Sequence, residues 1–217
     1  MFSLFSFVST IESICGLFAI VFLIKDKNLF WRITIVYMLI VPSTEIFAKH
    51  IGRIYHNNLI VYNIYALVEL AYITYAFYIF LKDFVDIKKF LIPATAVILT
   101  VYIGFTLTHN PLAEYNSVTV SVMSVAFVIY GLLYFYFLLK DENFIDLKFH
   151  PAFWWVGGTL IFYFGSTLAN FFDEIIQTRI RGNLNPRLLI YTTLNFFLYG
   201  FWSYSFICRA RQRKSYL

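Results

Sequence analysis

The sequence predicts an all-α integral membrane protein with seven transmembrane helices. Of its 217 residues, 60% are hydrophobic and only 13% are charged, and the mean hydropathy is +0.72. Ordinary soluble domains carry roughly 25% charged residues. The apolar residues fall into runs of about 20, the length of a helix that crosses a bilayer, and the charges are confined to short segments between them. No connection is long enough for a soluble domain, so we expect residues 1–217 to form a single membrane domain.

Each predicted span ends where charged residues interrupt an apolar run. Boundaries of this kind give seven spans, at residues 3–24, 32–49, 59–81, 90–108, 117–139, 152–172 and 188–208. The first span lacks the basic stretch that opens a secretory signal peptide, so we expect it to remain as a helix. The second contains Pro42, which is expected to kink the helix and to free a backbone carbonyl near Glu45.

The third span carries a polar face on an otherwise apolar helix. Helical spacing puts Tyr62, Tyr65, Glu69 and Tyr72 on this face. Three phenols beside a carboxyl group can share hydrogen bonds with it or form an aromatic cage for a cation. The seventh span has a comparable face, which comprises Tyr191, Thr192, Asn195, Tyr199 and Trp202.

Spans five to seven repeat the pattern of spans one to three. Residues 22–28 read Phe-Leu-Ile-Lys-Asp-Lys-Asn and residues 137–143 read Phe-Leu-Leu-Lys-Asp-Glu-Asn. The same register aligns Ser9 with Ser124 and Gly16 with Gly131. If the loops of the second copy are longer, Phe30-Trp31 also aligns with Phe153-Trp154, and Tyr75 aligns with Tyr204.

This repeat divides the domain into three parts. We assign residues 1–83 to the first three-helix repeat, residues 84–116 to a linker helix, and residues 117–217 to the second repeat and a basic tail. Copies that are separated by a single span share one orientation in the membrane, so the predicted arrangement is a parallel 3+1+3 repeat.

The distribution of Lys and Arg predicts the orientation. The 25–32, 82–89 and 140–150 loops and the tail together hold twelve basic residues, whereas the opposite connections hold five. Basic residues mark the cytoplasmic side, so the N-terminus is predicted outside and the C-terminus in the cytoplasm. We expect the bacterial inner (plasma) membrane. The basic tail, Arg209 to Lys214, would attract anionic headgroups but is explained as a topology anchor.

Three glutamates inside the spans are the main indication of function. Glu12 and Glu69 lie roughly 15 Å below the outer surface, and Glu45 lies closer to it. We expect no Lys, Arg or His at comparable depth, and a carboxylate in hydrocarbon is costly. Most other polar residues of the spans also fall in the outer half. The predicted ligand-binding residues are therefore Glu12, Glu45, Asn63, Tyr65, Glu69, Tyr72, Asn170 and Asn195.

The sequence lacks the motifs that retinal binding and zinc binding within the spans would require. No span has a central lysine for a retinal Schiff base, and no span has a His pair at i, i+4 for zinc. We expect no catalytic residue, no cofactor and no metal. One alternative stays open, a metal site that combines a loop histidine (His50, His56 or His109) with Glu45 or Asp173. Asp173 and Glu174 are otherwise interpreted as a solvated helix terminus.

Three functions are compatible with these features. The first is a transporter or receptor-like sensor that takes a small polar or cationic ligand into an outward-facing acidic and aromatic pocket. As a sensor it would need a membrane or cytoplasmic signalling partner. The second is a membrane enzyme that acts on a lipid or isoprenoid with a carboxyl group as acid or base. The third is an accessory subunit of a membrane complex. The basic residues sit at helix ends in contact with the lipid bilayer, so we expect no nucleic acid partner.

Overall fold

A computed structural model describes residues 7–112, 114–141, 146–172 and 186–215. Within these ranges all secondary structure is helical, which confirms the predicted all-α class. The described residues form seven α-helices: α1 (Phe7–Leu23), α2 (Leu29–Tyr55), α3 (Leu59–Leu81), α4 (Lys88–Thr108), α5 (Ser117–Lys140), α6 (Pro151–Phe171) and α7 (Pro186–Ser215). Five of them, α2 to α6, are long and apolar enough to cross a membrane, and α1 is apolar but has 17 residues.

Polar residues at the helix starts explain where several helices begin. Asn28 accepts a hydrogen bond from a backbone N–H of the first turn of α2, and Asn116 does the same for α5. The ring of His150 accepts the N–H of Phe153, and Pro151 occupies the first turn of α6. These side chains satisfy N–H groups that have no partner inside the helix.

Helix α2 is longer than the sequence pattern suggests. The span predicted at residues 32–49 stops at a basic residue, but the helix continues to Tyr55. It ends at His56, whose φ of 55° lies in the left-handed region that terminates helices. Lys49 is therefore inside α2, one turn after Glu45, rather than in a loop.

Six of the helices form a ring. Helix α1 packs between α2 and α7, helix α5 packs between α3 and α6, and the α2–α3 and α6–α7 contacts close the ring. Helix α4 lies outside the ring against α3 and α5. Only Leu91 and Ile98 of α4 are buried, so most of this helix presents apolar side chains outward.

Aromatic side chains fill one end of the ring. Trp155 and Trp202 stack with ring centroids 5.0 Å apart, and Phe77, Phe80 and Phe30 meet the edges of Trp155. We call these five residues the aromatic plug. They lie near the start of α2 and α6, near the end of α3 and in the second half of α7, so the plug closes the end of the ring that carries the α1–α2 connection.

A buried ion pair ties this connection to α7. Asp26, whose side chain is 1% exposed, accepts hydrogen bonds from Arg209 at 2.7 and 3.2 Å and from the backbone N–H of Asn28 at 2.8 Å. Burial alone would raise the pKa of Asp26, but these hydrogen bonds and the charges of Arg209 and Arg213 outweigh it and hold the pKa below its usual value. The first arginine of the basic tail thus has a structural partner inside the protein.

Candidate acidic cavity

A cavity of about 220 Å³ lies in the ring, and Trp202 of the aromatic plug forms part of its wall. Its volume equals roughly seven water molecules at 30 Å³ each, so it suits a small molecule. Five of the eight predicted ligand-binding residues line it. They are Glu12, Glu45, Tyr65, Glu69 and Asn195.

The three glutamates reach the cavity from three successive helices, α1, α2 and α3. Each carboxyl group accepts a hydrogen bond from one tyrosine: Glu69 from Tyr163 at 2.7 Å, Glu45 from Tyr62 at 3.3 Å, and Glu12 from Tyr199 at 3.4 Å. The first of these distances is typical of a strong O–H···O bond, whereas the other two are long. Two of the three acids therefore keep most of their capacity to accept hydrogen bonds from another donor.

Glu12 is the most deeply buried of the three acids. It is 5% exposed, and its Oε2 atom has no hydrogen-bond partner among the residues that the structure describes. Leaving a buried polar atom without a partner costs about 1–3 kcal/mol, so such atoms are rare in native proteins. Glu12 Oε2 is thus a position where a donor group of a ligand would be stabilised.

One basic side chain approaches the acids, contrary to our expectation from the sequence. Lys49 donates a hydrogen bond to Ser9 Oγ at 3.0 Å, and Ser9 is fully buried on α1, one turn before Glu12. Lys49 is also one turn after Glu45 on α2. The sequence pattern missed this because it ended the second span at Lys49. Among the described residues, the cavity region therefore combines three carboxyl groups with the ammonium group of Lys49.

Phenolic side chains form much of the cavity wall. Tyr37 and Tyr65 share a hydrogen bond at 2.9 Å, and Tyr163 and Tyr199 are buried beside the acids. The sequence pattern gave no reason to single out Tyr163, because 22% of the chain is aromatic. Tyr199 was detectable, since it lies one helical turn from Asn195 on the polar face of α7.

Asn63, predicted as a ligand-binding residue, does not line the cavity. Its amide donates to the carbonyl oxygens of Pro111 and Glu114 at 2.9 and 3.0 Å and accepts the Asn116 N–H at 3.0 Å. Its polar atoms are thus used by the connection between α4 and α5. That connection carries Tyr115, which does line the cavity, so Asn63 holds part of the cavity wall in place.

Tyr72 and Asn170 also lie away from the cavity lining. Tyr72 stacks on Tyr37 with centroids 3.7 Å apart and donates to Thr34 Oγ1 at 3.1 Å, because the face of α3 that carries it turns into the core. Asn170 is exposed near the end of α6 and accepts a hydrogen bond from Tyr191 at 2.8 Å.

A metal centre has no support in the described part of the chain. Among those residues, no three His, Cys, Asp or Glu side chains come close enough together to hold a metal ion. Of the loop histidines, His109 stacks on Phe105 and shares a hydrogen bond with Thr108. Asp173 and Glu174, which entered the alternative metal site and the predicted helix terminus, lie outside the described residues.

No protein-family model, curated protein or solved structure matches this chain.

Proposed function

We propose that this protein binds a small cationic or polar ligand in the acidic cavity and acts as a transporter or a receptor-like sensor. The observation that carries the proposal is the convergence of Glu12, Glu45 and Glu69 on one cavity. Carboxyl groups inside a membrane protein are costly, and three that share one space indicate a site rather than three separate helix contacts.

The chemistry of the cavity favours an amine. Three carboxyl groups face one nearby ammonium group, Lys49, so a ligand with a positive charge improves the local balance. An ammonium group donates up to three hydrogen bonds, which suits Glu12, whose Oε2 has no partner among the described residues, and Glu45, whose tyrosine contact is long. The phenol faces favour cations as well.

The proposed setting is one seven-span membrane domain in which α1 and α7 also cross the bilayer, with the N-terminus outside. We place it in the bacterial inner (plasma) membrane. In this orientation the cavity opens outward and the aromatic plug faces the cytoplasm. The count of Lys and Arg in the connections, twelve against five, supports this orientation.

We also propose the parallel 3+1+3 repeat. In the register that aligns Ser9 with Ser124, every buried residue of α1 falls on a buried residue of α5. Gly16 and Gly131 are one of these pairs, and each contacts the next helix of the ring, at Met38 and Leu160 respectively. Exchanging the copies also leaves the order of helix neighbours in the ring unchanged.

The other two helix pairs support the same repeat. The register that aligns Tyr75 with Tyr204 also aligns five buried residues of α3 with buried residues of α7. For α2 and α6, burial favours a register two residues later than the one read from the sequence, with Phe30 opposite Trp155 and Thr34 opposite Thr159. Glu45 then corresponds to Asn170.

Binding to the purified full-length protein tests the proposal. We would measure the affinities of ethylamine, ethanolamine and tetramethylammonium, each against an uncharged compound of similar size. The variants Glu12→Gln and Glu69→Gln are expected to weaken binding of the cation at least tenfold, about 1.4 kcal/mol. Glu114→Gln is the matched control, because this side chain is exposed and does not line the cavity.

Two outcomes separate the possible roles. Uptake of the bound amine into proteoliposomes would support a transporter, in which the aromatic plug must open to let the amine pass. Binding without uptake would favour a sensor, for which we propose a membrane or cytoplasmic signalling partner. Equal affinity of wild type and both acid-to-amide variants for every amine would overturn the ligand-binding proposal.

A further inference from the structure

A long apolar groove runs along the outer surface between α2 and α3. It consists of two stretches of about 720 and 520 Å³, which share Val36, Ile40 and Val68. Its side chains are predominantly apolar and several are more than half exposed, including Val36 and Ile64. In the membrane this groove would be in contact with lipid chains.

The groove exists because α2 and α3 are farther apart than α6 and α7, the corresponding helices of the proposed second repeat, which are in close contact. A Cβ atom on Gly158 would lie 2.7 Å from Phe201 Cβ, and one on Gly165 would lie 2.5 Å from Leu194 Cδ2. The glycines therefore permit the close α6–α7 contact. In the register given above for α2 and α6, the corresponding residues of α2 are Ile33 and Ile40, and both line the groove.

The groove and the acidic cavity share part of their walls. Thr44 and Tyr65 line both the larger stretch and the cavity, and Tyr37 lines both the smaller stretch and the cavity. Glu45 follows Thr44 directly, and Glu69 is one helical turn after Tyr65. An acidic, phenol-lined space is thus separated from a lipid-facing groove by only a few side chains.

We propose that the ligand is a single-chain amphiphilic amine that enters from the bilayer between α2 and α3. Its ammonium group occupies the acidic cavity, and its hydrocarbon chain lies in the groove. Charge complementarity with the three glutamates supports the position of the head, and the wall residues Tyr37, Thr44 and Tyr65, which the groove shares with the cavity, support that of the chain. The inference rests on the proposed function and adds the class of ligand and the route of entry.

A homologous series of amines tests this directly. The full-length protein in phosphatidylcholine nanodiscs would be titrated with ethylamine, octylamine and dodecylamine, with dodecanol as the uncharged probe and empty nanodiscs as the partition control. We expect affinity to rise at least tenfold from ethylamine to dodecylamine after correction for partition, and dodecanol to bind far more weakly than dodecylamine.

Two groove variants separate the chain from the head. Ile64→Trp, at a position 55% exposed in the groove, should weaken dodecylamine binding at least tenfold and leave ethylamine binding unchanged. Val36 lines both stretches of the groove, so Val36→Trp tests the same prediction if Ile64→Trp does not fold. Ile103→Trp is the matched control, since this residue of α4 is 56% exposed and lines neither the groove nor the cavity.

The outcomes distinguish this inference from the proposed function. If ethylamine and dodecylamine bind equally well and both need Glu69, the cavity takes a soluble amine and the amphiphile inference is wrong. The same conclusion follows if the groove variants leave dodecylamine affinity unchanged. If no amine depends on Glu12 or Glu69, the proposed function itself fails.

Discussion

The Asp26–Arg209 pair gives a sharp prediction, because its two partners differ in burial. The Asp26 side chain is 1% exposed and that of Arg209 is 26% exposed. Removing one partner of a buried pair typically costs 3–5 kcal/mol, because the other charge stays buried without compensation. Arg209→Met leaves such a charge on Asp26, although Arg213 at 4.0 Å compensates in part. We expect a loss near the lower limit, about 3 kcal/mol.

The reciprocal change should be milder. Asp26→Asn leaves only a partly exposed arginine, which water can solvate, and the amide oxygen can still accept the Asn28 N–H. We expect a loss of about 1–2 kcal/mol, in the range of one or two hydrogen bonds. In the double variant, most of the additional loss caused by Arg209→Met should disappear, because no buried charge remains.

The assay is reversible denaturant unfolding of the purified protein in one detergent, with all four proteins compared under the same conditions. Because the pKa of Asp26 is lowered in the folded state, the pair stabilises the protein above the unfolded pKa of Asp, and this contribution is lost as the pH falls through the lower folded pKa. Asp26→Asn should lack this acid-dependent loss. An Asp26→Asn variant less stable than Arg209→Met would refute the reasoning from burial.

Three further predictions concern packing, the cavity and a helix cap. Gly158→Ala should destabilise the protein by about 1–3 kcal/mol through overpacking, whereas Gly104→Ala, which meets no atom within 4 Å, should be neutral or stabilising in the same unfolding assay. Tyr163→Phe should cost about 1 kcal/mol or more because Glu69 loses its hydrogen-bond donor, and an unchanged stability would contradict that. Burial lowers the pKa of His150, so its capping contribution should be lost as the pH falls below the unfolded value of 6.5. His150→Asn keeps the cap and should remove this loss from the thermal unfolding curve, and a persisting pH dependence would assign it to another group.

Helix periodicity and the cost of burying charge were enough to predict the acidic cavity in outline. Glu12, Glu45 and Glu69 stand out in the sequence because a carboxyl group within an apolar run is costly to bury. The structure brings all three to one cavity. The spacing of the aromatic residues was less useful for predicting which of them line the cavity. In a chain with 17 Tyr and 26 Phe, no spacing distinguishes the phenol that donates to Glu69 from those that only pack.

Two features of the structure could not be predicted from residue spacing, for two physical reasons. Charged residues do not end a helix by themselves, so a span that stopped at Lys49 assigned this residue to the outer connection, although it lies inside α2 and donates to Ser9. An amide can serve a connection as readily as a ligand, and Asn63 is used in this way because three backbone groups of the α4–α5 connection need partners. Neither the end of a helix nor the partners of a side chain follow from spacing alone.

Trp202 belongs to the aromatic plug and also lines the cavity, and this position has a practical consequence. Its indole lines the cavity, stacks on Trp155 and donates to the Trp155 carbonyl at 3.1 Å. Indole emission depends on the polarity and charge around the ring, so a bound cation would shift the intrinsic fluorescence of the protein. If the proposed ligand binds, Trp202 is a label-free optical reporter of its binding, and Trp202→Phe should reduce the change in fluorescence.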